Sequence, residues 1–163
     1  MGRDLASRRL PVIVTLLVGL MLTIMPLPDI LRPFRPDWLA LLMIFWAMQL
    51  PRTWSVGTAW IVGIVLDVGQ GTLLAQHAAA LCVITFVTVR MHLLMRVFPL
   101  SQLTATVFVL LALYQFVLFW INGVAGVSSP SIAYWAPVLT GTAIWPFVYV
   151  FLSGIRFRAR MGA

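Results

Sequence analysis

The chain contains no lysine and no glutamate, and it has only two histidines and one cysteine. These absences remove the side chains that a zinc-protease His-Glu-x-x-His motif or a phosphate loop ending in Lys requires, and no Gly-x-Ser-x-Gly nucleophile motif occurs. The single Cys82 excludes an intrachain disulfide and a cysteine-based metal motif, and we expect a small buried side chain there. The sequence therefore predicts no catalytic residue, no metal and no cofactor.

Charge is scarce as well: 9% of the residues are charged, 62% are hydrophobic, and the mean hydropathy is +1.03. A soluble domain of this length cannot bury so much apolar surface, so the sequence predicts an all-α, polytopic integral membrane protein. All eleven positive charges are arginines, and they flank apolar runs instead of clustering on one face. This pattern argues against nucleic-acid binding and indicates topology signals in a lipid bilayer.

One transmembrane domain, 1–163, is expected. A spanning helix needs about 20 mostly apolar residues. The second and third predicted helices are shorter, so either the bilayer thins locally or they form a re-entrant hairpin. Pro11 is expected in the first turn of the first helix, which lacks a signal-peptide cleavage site and is retained. Pro146 is expected to kink the sixth helix, and Gly154 to end it. The predicted helices are about 10–27, 38–50, 54–68, 72–89, 103–121 and 134–153.

The arginines set the expected orientation. With six crossings and both termini in the cytoplasm, nine arginines lie inside and two lie outside, which is a strong positive-inside bias. Moving Arg52 to the other side changes the ratio only to eight against three. The terminal arginines could also contact anionic lipid or a cytoplasmic partner. The inside set is Arg3, Arg8, Arg9, Arg52, Arg90, Arg96, Arg156, Arg158 and Arg160; the outside set is Arg32 and Arg35.

The most unusual stretch is 66–77, a polar segment between two apolar runs. Asp67 is the only carboxylate after residue 37. A charged side chain at the bilayer centre costs about 2.5 to 3.5 kcal/mol on insertion scales, so Asp67 should face the protein interior or water. Helical spacing places it on one inward face of the third helix with a set of neighbours. These neighbours are Trp60, Gly63, and Gln70 or Gly71.

Beyond Gly71 the chain can turn tightly and enter the fourth helix with Gln76 and His77. Asp67 and His77 should then meet across a hairpin near the outer boundary. The pair could be a structural polar clamp between two helices, a proton relay or substrate site, or part of a metal site that is short of ligands. At the start of the second helix, Asp37 is expected to be the N-cap and Trp38 an interfacial anchor.

These motifs together resemble the bacterial rod shape-determining MreD family. The resemblance covers essentially the whole chain, including helix count and arginine placement. One departure is Ala75, where glycine is expected in this family and where alanine suggests a looser approach of the helices. The matching segments are Arg35-Pro36-Asp37-Trp38 with Trp46, Pro51-Arg52, Gly63 to Asp67, and Gly71 to His77.

The resemblance implies a non-enzymatic protein of the bacterial inner membrane. It implies binding to the bitopic scaffold MreC and, through it, a link to the MreB filament and to RodA with its transpeptidase partner in side-wall peptidoglycan synthesis. It also implies a fold similar to the S components of energy-coupling-factor transporters, with six helices around a polar cavity. A small-molecule carrier and a proton-coupled transporter using Asp67 are the alternatives. The candidate partner or cavity residues are Asp37, Trp38, Trp60, Gly63, Asp67, Gln70, Gly71, Gln76 and His77.

Overall fold

The computed structural model describes the backbone of residues 2–126 and 132–161, and the side chains of residues 10–126 and 132–158. The expected topological role of Arg8, Arg9 and Arg160 therefore falls on side chains outside the described residues. Within the described ranges the protein is all-helical, as predicted, with two short 3-10 helices at Arg32–Phe34 and Ile132–Trp135. The α-helices are α1 Gly2–Ile24, α2 Trp38–Gln49, α3 Val56–Gln70, α4 Gln76–Val97, α5 Leu100–Val124 and α6 Ala136–Met161.

Several predicted helix bounds were wrong. The first helix begins at Gly2, so Pro11 lies inside it and not in its first turn. The fourth begins at Gln76 because residues 72–75 form a turn, and it continues past Arg90 to Val97. The sixth continues to Met161 through Gly154, which weakens a helix by about 1 kcal/mol without ending it. Polar residues at a membrane boundary remain compatible with helix, and this is why hydropathy alone misplaced these ends.

Three helical stretches of the described chain are long and apolar enough to cross a membrane: Gln76–Val97, Leu100–Val124 and Ile132–Arg158. Two shorter apolar stretches, Leu10–Ile24 and Val56–Gln70, accompany them.

Helix α2 lies at the centre of the bundle. Every residue from Leu39 to Gln49 is buried, as expected for a helix that is apolar on all sides. It packs against α1, α4, α5 and α6. It runs antiparallel to α1, because the Trp46 indole N–H donates to the Thr15 hydroxyl at 3.0 Å and Leu42 lies against Gly19. Twelve residues extend only about 18 Å, and the enclosing helices cover this short element.

The two ends of the bundle differ in charge. At one end, which we call the arginine end, Arg96 donates from Nε to the Met48 carbonyl at 2.9 Å and from Nη2 to the Gln49 carbonyl at 2.7 Å. Arg156 donates to the Gln49 side-chain oxygen. The last carbonyls of α2, which have no partner within their own helix, are thus bound by a side chain of α4.

At the opposite end, which we call the aspartate end, Arg35 donates to the Leu22 carbonyl near the C-terminus of α1. Asp29 forms an exposed ion pair with Arg32 at 3.6 Å, and Asp37 and Asp67 lie at this end as well. Arginines that carry the topology signal therefore also bind helix termini.

Helices α3 and α4 form a closely packed antiparallel hairpin. A Cβ atom added at Gly63 would lie 2.2 Å from the Ala78 Cα and 2.6 Å from its backbone nitrogen. Glycine at this position therefore allows the two backbones to approach, as small residues do between membrane helices. At the far end of the hairpin the Cys82 thiol donates to the Val56 carbonyl at 3.4 Å.

We expect Gly63→Ala to destabilise the protein by about 1 to 3 kcal/mol, because the added methyl meets backbone atoms that cannot rotate away. Gly57→Ala in the same helix is the matched control, since a Cβ there meets nothing within 4 Å. Alanine at that site should be neutral or stabilise by up to about 1 kcal/mol. Thermal unfolding of both variants in one detergent tests this. If Gly63→Ala melts as high as Gly57→Ala, the close packing described here is wrong.

Candidate functional site

A polar cluster occupies the turn between α3 and α4. It consists of Asp67, Thr72, Gln76 and His77, and we call it the turn cluster. Asp67 is 1% exposed. The His77 ring Nδ1–H donates to Asp67 Oδ1 at 2.6 Å, and the Thr72 hydroxyl donates to the same oxygen at 3.1 Å. The sequence prediction that Asp67 and His77 meet across a hairpin agrees with this geometry.

The Asp67 carboxylate also binds the first turn of α4. The backbone N–H of His77 donates to Oδ1 at 3.1 Å, and that of Ala78 points to Oδ2 at 3.4 Å. Amides in this position normally bind the side chain of the residue that precedes the helix. Here that residue is Ala75, which has no side-chain acceptor. Asp67 of the neighbouring helix therefore acts as the N-cap, and its negative charge suits the positive end of the helix dipole.

The backbone of Ala75 is strained. Its φ of 74° is the single positive value among the described non-glycine residues, and this left-handed region costs an L-residue about 1 to 2 kcal/mol. A glycine at this position would therefore have a conformational advantage, and the looser helix approach stays a prediction. Gly71, at φ 64°, ends α3 in the same conformation without that cost.

The turn cluster lies beside an aromatic side chain of α5. The centroid of the His77 ring lies 6.4 Å from the ring centroid of Tyr114, a buried residue of α5. Among the described residues, no group of three histidine, cysteine or acidic side chains could hold a metal ion. The carboxylate, imidazole and hydroxyl of the cluster bind each other, and the carboxylate also binds the start of α4.

Two predicted members lie outside the cluster. Trp60 is 46% exposed, and Gln70 is exposed at the last turn of α3, beyond the start of α4. The buried face of α3 is rotated slightly from the predicted one. Trp60 therefore lies at the margin of the buried face, and its ring reaches the surface of the bundle. Gly71 forms the turn itself. The buried face of α3 is Ala59, Gly63, Leu66 and Asp67.

Asp37 and Trp38 begin α2 at the predicted positions, and both are partly buried. The Asp37 side chain makes no capping hydrogen bond, contrary to the expectation, and only its backbone carbonyl accepts the Leu41 N–H at 3.1 Å. In this connection, outside the helices, burial raises the pKa of the Asp37 carboxyl to about 7, and the Arg35 guanidinium opposes that rise.

Sequence reasoning missed several residues that contact helix ends. Thr72 was taken as the first residue of a helix, although a hydroxyl directly after Gly71 is a typical turn and capping signal. Arg96 was predicted only as a topology signal, whereas Arg35 was also expected to fix the outer end of the second helix together with Asp37. No local spacing connects them to Leu22 or Met48, since these contacts join distant parts of the chain.

Two apolar grooves flank α1. One, of about 210 Å³, lies between α1 and α3 and includes Leu17, Ile61 and Val65. The other, of about 310 Å³, lies between α1, α2 and α6 and includes Val18 and Phe151. Both are lined almost wholly by hydrocarbon and open toward the side of the bundle, where lipid or another membrane helix would lie.

These features define a helical membrane protein in which the buried Asp67 binds the end of a neighbouring helix. The sequence matches the family described as rod shape-determining protein MreD over residues 7–155, and the chain belongs to that family. It is also 21% identical to the rod shape-determining protein MreD of Haemophilus influenzae over 147 residues, which cover 88% of this chain and 89% of the relative. No solved structure matches the chain. It is therefore a bacterial membrane protein of a family that determines rod shape.

We expect Asp67→Ala to destabilise the protein by about 1 to 3 kcal/mol, because buried amides of α4 lose their hydrogen-bond acceptor. Asp67→Asn should cost less, since one carbonyl oxygen remains. Asp29→Asn is the control, because the side chain of Asp29 is 94% exposed. Hydrogen exchange at His77 and Ala78 in detergent should accelerate in Asp67→Ala and stay unchanged in Asp29→Asn. Unchanged exchange in both would show that Asp67 does not cap α4.

We expect Ala75→Gly to stabilise the protein by about 1 kcal/mol, because it relieves the left-handed strain. The same replacement inside α4, Ala79→Gly, should destabilise it by up to about 1 kcal/mol. Thermal unfolding of the two variants should therefore shift in opposite directions. A destabilised Ala75→Gly variant would contradict the conformation described for the turn.

Proposed function

We propose that this protein is a six-helix adaptor of the bacterial inner membrane, with both termini in the cytoplasm, that binds MreC and helps direct side-wall peptidoglycan synthesis. Through MreC it would join the MreB filament and RodA with its transpeptidase partner. Family membership supports the role in rod shape. The placement of Arg52, Arg96, Arg156 and Arg158 toward the arginine end supports a cytoplasmic location of that end.

The observation that carries the adaptor role is the contrast between the hydrogen-bonded turn cluster and the apolar grooves beside α1. Asp67 accepts hydrogen bonds from Thr72, His77 and Ala78, so its oxygens serve the fold. A carrier or a proton-coupled transporter would instead need polar groups that face a ligand or water path. The grooves beside α1 are apolar, which suits a membrane helix better than a polar substrate.

The surface beside the α1–α3 groove is the proposed docking site for the transmembrane helix of MreC. Trp60, Ile61, Val65 and Val68 are all exposed on α3 and recur at helical spacing. The turn cluster lies inside the same hairpin and holds α3 against α4. We infer that Asp67 and His77 act on partner binding indirectly, by keeping this surface in place, and that Trp60 and Ile61 act directly.

The test is copurification with MreC of the same organism, coexpressed in bacteria and extracted in mild detergent. Wild type should capture MreC. The double variant Trp60→Ala, Ile61→Ala should capture at least about tenfold less, the scale of a lost interface anchor. Phe147→Ala, exposed on α6, is the control and should bind normally. Asp67→Asn and His77→Ala should bind more weakly in proportion to their loss of thermal stability.

Each variant must run as a monodisperse species, so that failed folding is not read as failed binding. If well-folded wild type captures no MreC, the adaptor proposal is wrong. If the α3 variant and the α6 control lose binding equally, the docking surface is misplaced.

A further inference from the structure

A second groove, which the adaptor role does not use, runs along α6 toward the arginine end of the bundle. The groove of about 310 Å³ between α1 and α6 is lined by side chains such as Val14, Val18, Phe151 and Ile155. A recess of about 230 Å³ adjoins it, because Phe151 and Ile155 line both. The recess also includes Gly154 and Arg158. An apolar path along α6 therefore ends at a guanidinium.

We propose that this path is a binding site for one anionic phospholipid, with an acyl chain in the α1–α6 groove and the phosphate on Arg158. The lining of the groove runs from Val148 to Ile155, and Arg158 lies one turn further. From Val148 to Arg158 the helix rises about 15 Å. This distance suits a hydrocarbon chain that lies along the helix while its headgroup remains at the membrane surface.

Charge at this end favours an anion. Among the residues whose side chains are described, the carboxylates are Asp29, Asp37 and Asp67, and all three belong to the aspartate end; Asp4 is outside that set. Arg96 is committed to the end of α2, and Arg156 binds Gln49. Arg158 is exposed and lines the recess. Its planar guanidinium can donate two parallel hydrogen bonds to the oxygens of one phosphate group.

Gly154 gives the recess its shape. It lies one helical turn before Arg158, on the same side of α6, and a Cβ added there would meet nothing within 4 Å. The first carbon of a larger side chain at this position would therefore enter the recess without striking the protein. This makes Gly154→Leu a variant that should block the lipid and leave the fold intact.

The experiment titrates the purified full chain in detergent with phosphatidylglycerol and, separately, with phosphatidylcholine of the same acyl chains, and follows thermal stability. Wild type should be stabilised preferentially by phosphatidylglycerol. A basic side chain near a membrane surface contributes about 1 kcal/mol to anionic-lipid attraction, so Arg158→Gln should need about fivefold more of this lipid for half the effect. Gly154→Leu should lose the response to both lipids.

The matched controls are Arg52→Gln and Gly123→Leu. Arg52 is exposed in the turn after α2 and is not among the residues that line the groove or the recess; a Cβ at Gly123 of α5 also meets open space. Both should respond as wild type does. Equal losses in Arg52→Gln and Arg158→Gln would show diffuse attraction and overturn the proposal. So would a wild type without preference for the anionic lipid, or a folded Gly154→Leu that keeps the full response.

Discussion

The structure depends on one constraint: a helix end inside a membrane bundle has polar backbone groups that neither lipid nor its own helix can bind. This protein meets the constraint with side chains from other helices. Asp67 of α3 binds the first amides of α4, Arg96 of α4 binds the last carbonyls of α2, and Arg35 binds a carbonyl near the end of α1. Each contact closes a helix terminus and also fixes one helix relative to another.

This use of polar groups explains why α2 can be both short and central. Its twelve residues lie inside the bundle, and the carbonyls at its C-terminus are held by Arg96. It also bears on function. Asp67 and Arg96 are committed to helix ends, and the surface beside α1 is apolar. Such a surface suits membrane helices and lipids, and it agrees with a family that determines cell shape.

Much of the architecture could be predicted from the sequence because hydropathy is a strong signal over 15 to 25 residues. The all-helical class and the meeting of Asp67 with His77 agree with the structure. The helix starts were less predictable. Gln76 marks the beginning of α4, but polar residues near a helix end are equally compatible with turn and helix. The role of Ala75 became clear only from its φ angle, and contacts such as Arg96 with Met48 join residues too far apart for any local pattern.

At residues 96 and 67, the contacts with helix ends give a physical reason for arginine instead of lysine and for aspartate instead of glutamate. Arg96 binds two successive carbonyls with two nitrogens of one planar group, which the single ammonium of lysine cannot do with the same fixed geometry. At residue 67 the carboxylate lies close to the α4 backbone because Gly63, one turn earlier, allows the helices to approach. A glutamate is one methylene longer, so its carboxylate could not occupy the same place without pushing the hairpin apart. The short acid and the forked base are thus matched to closely packed helix ends.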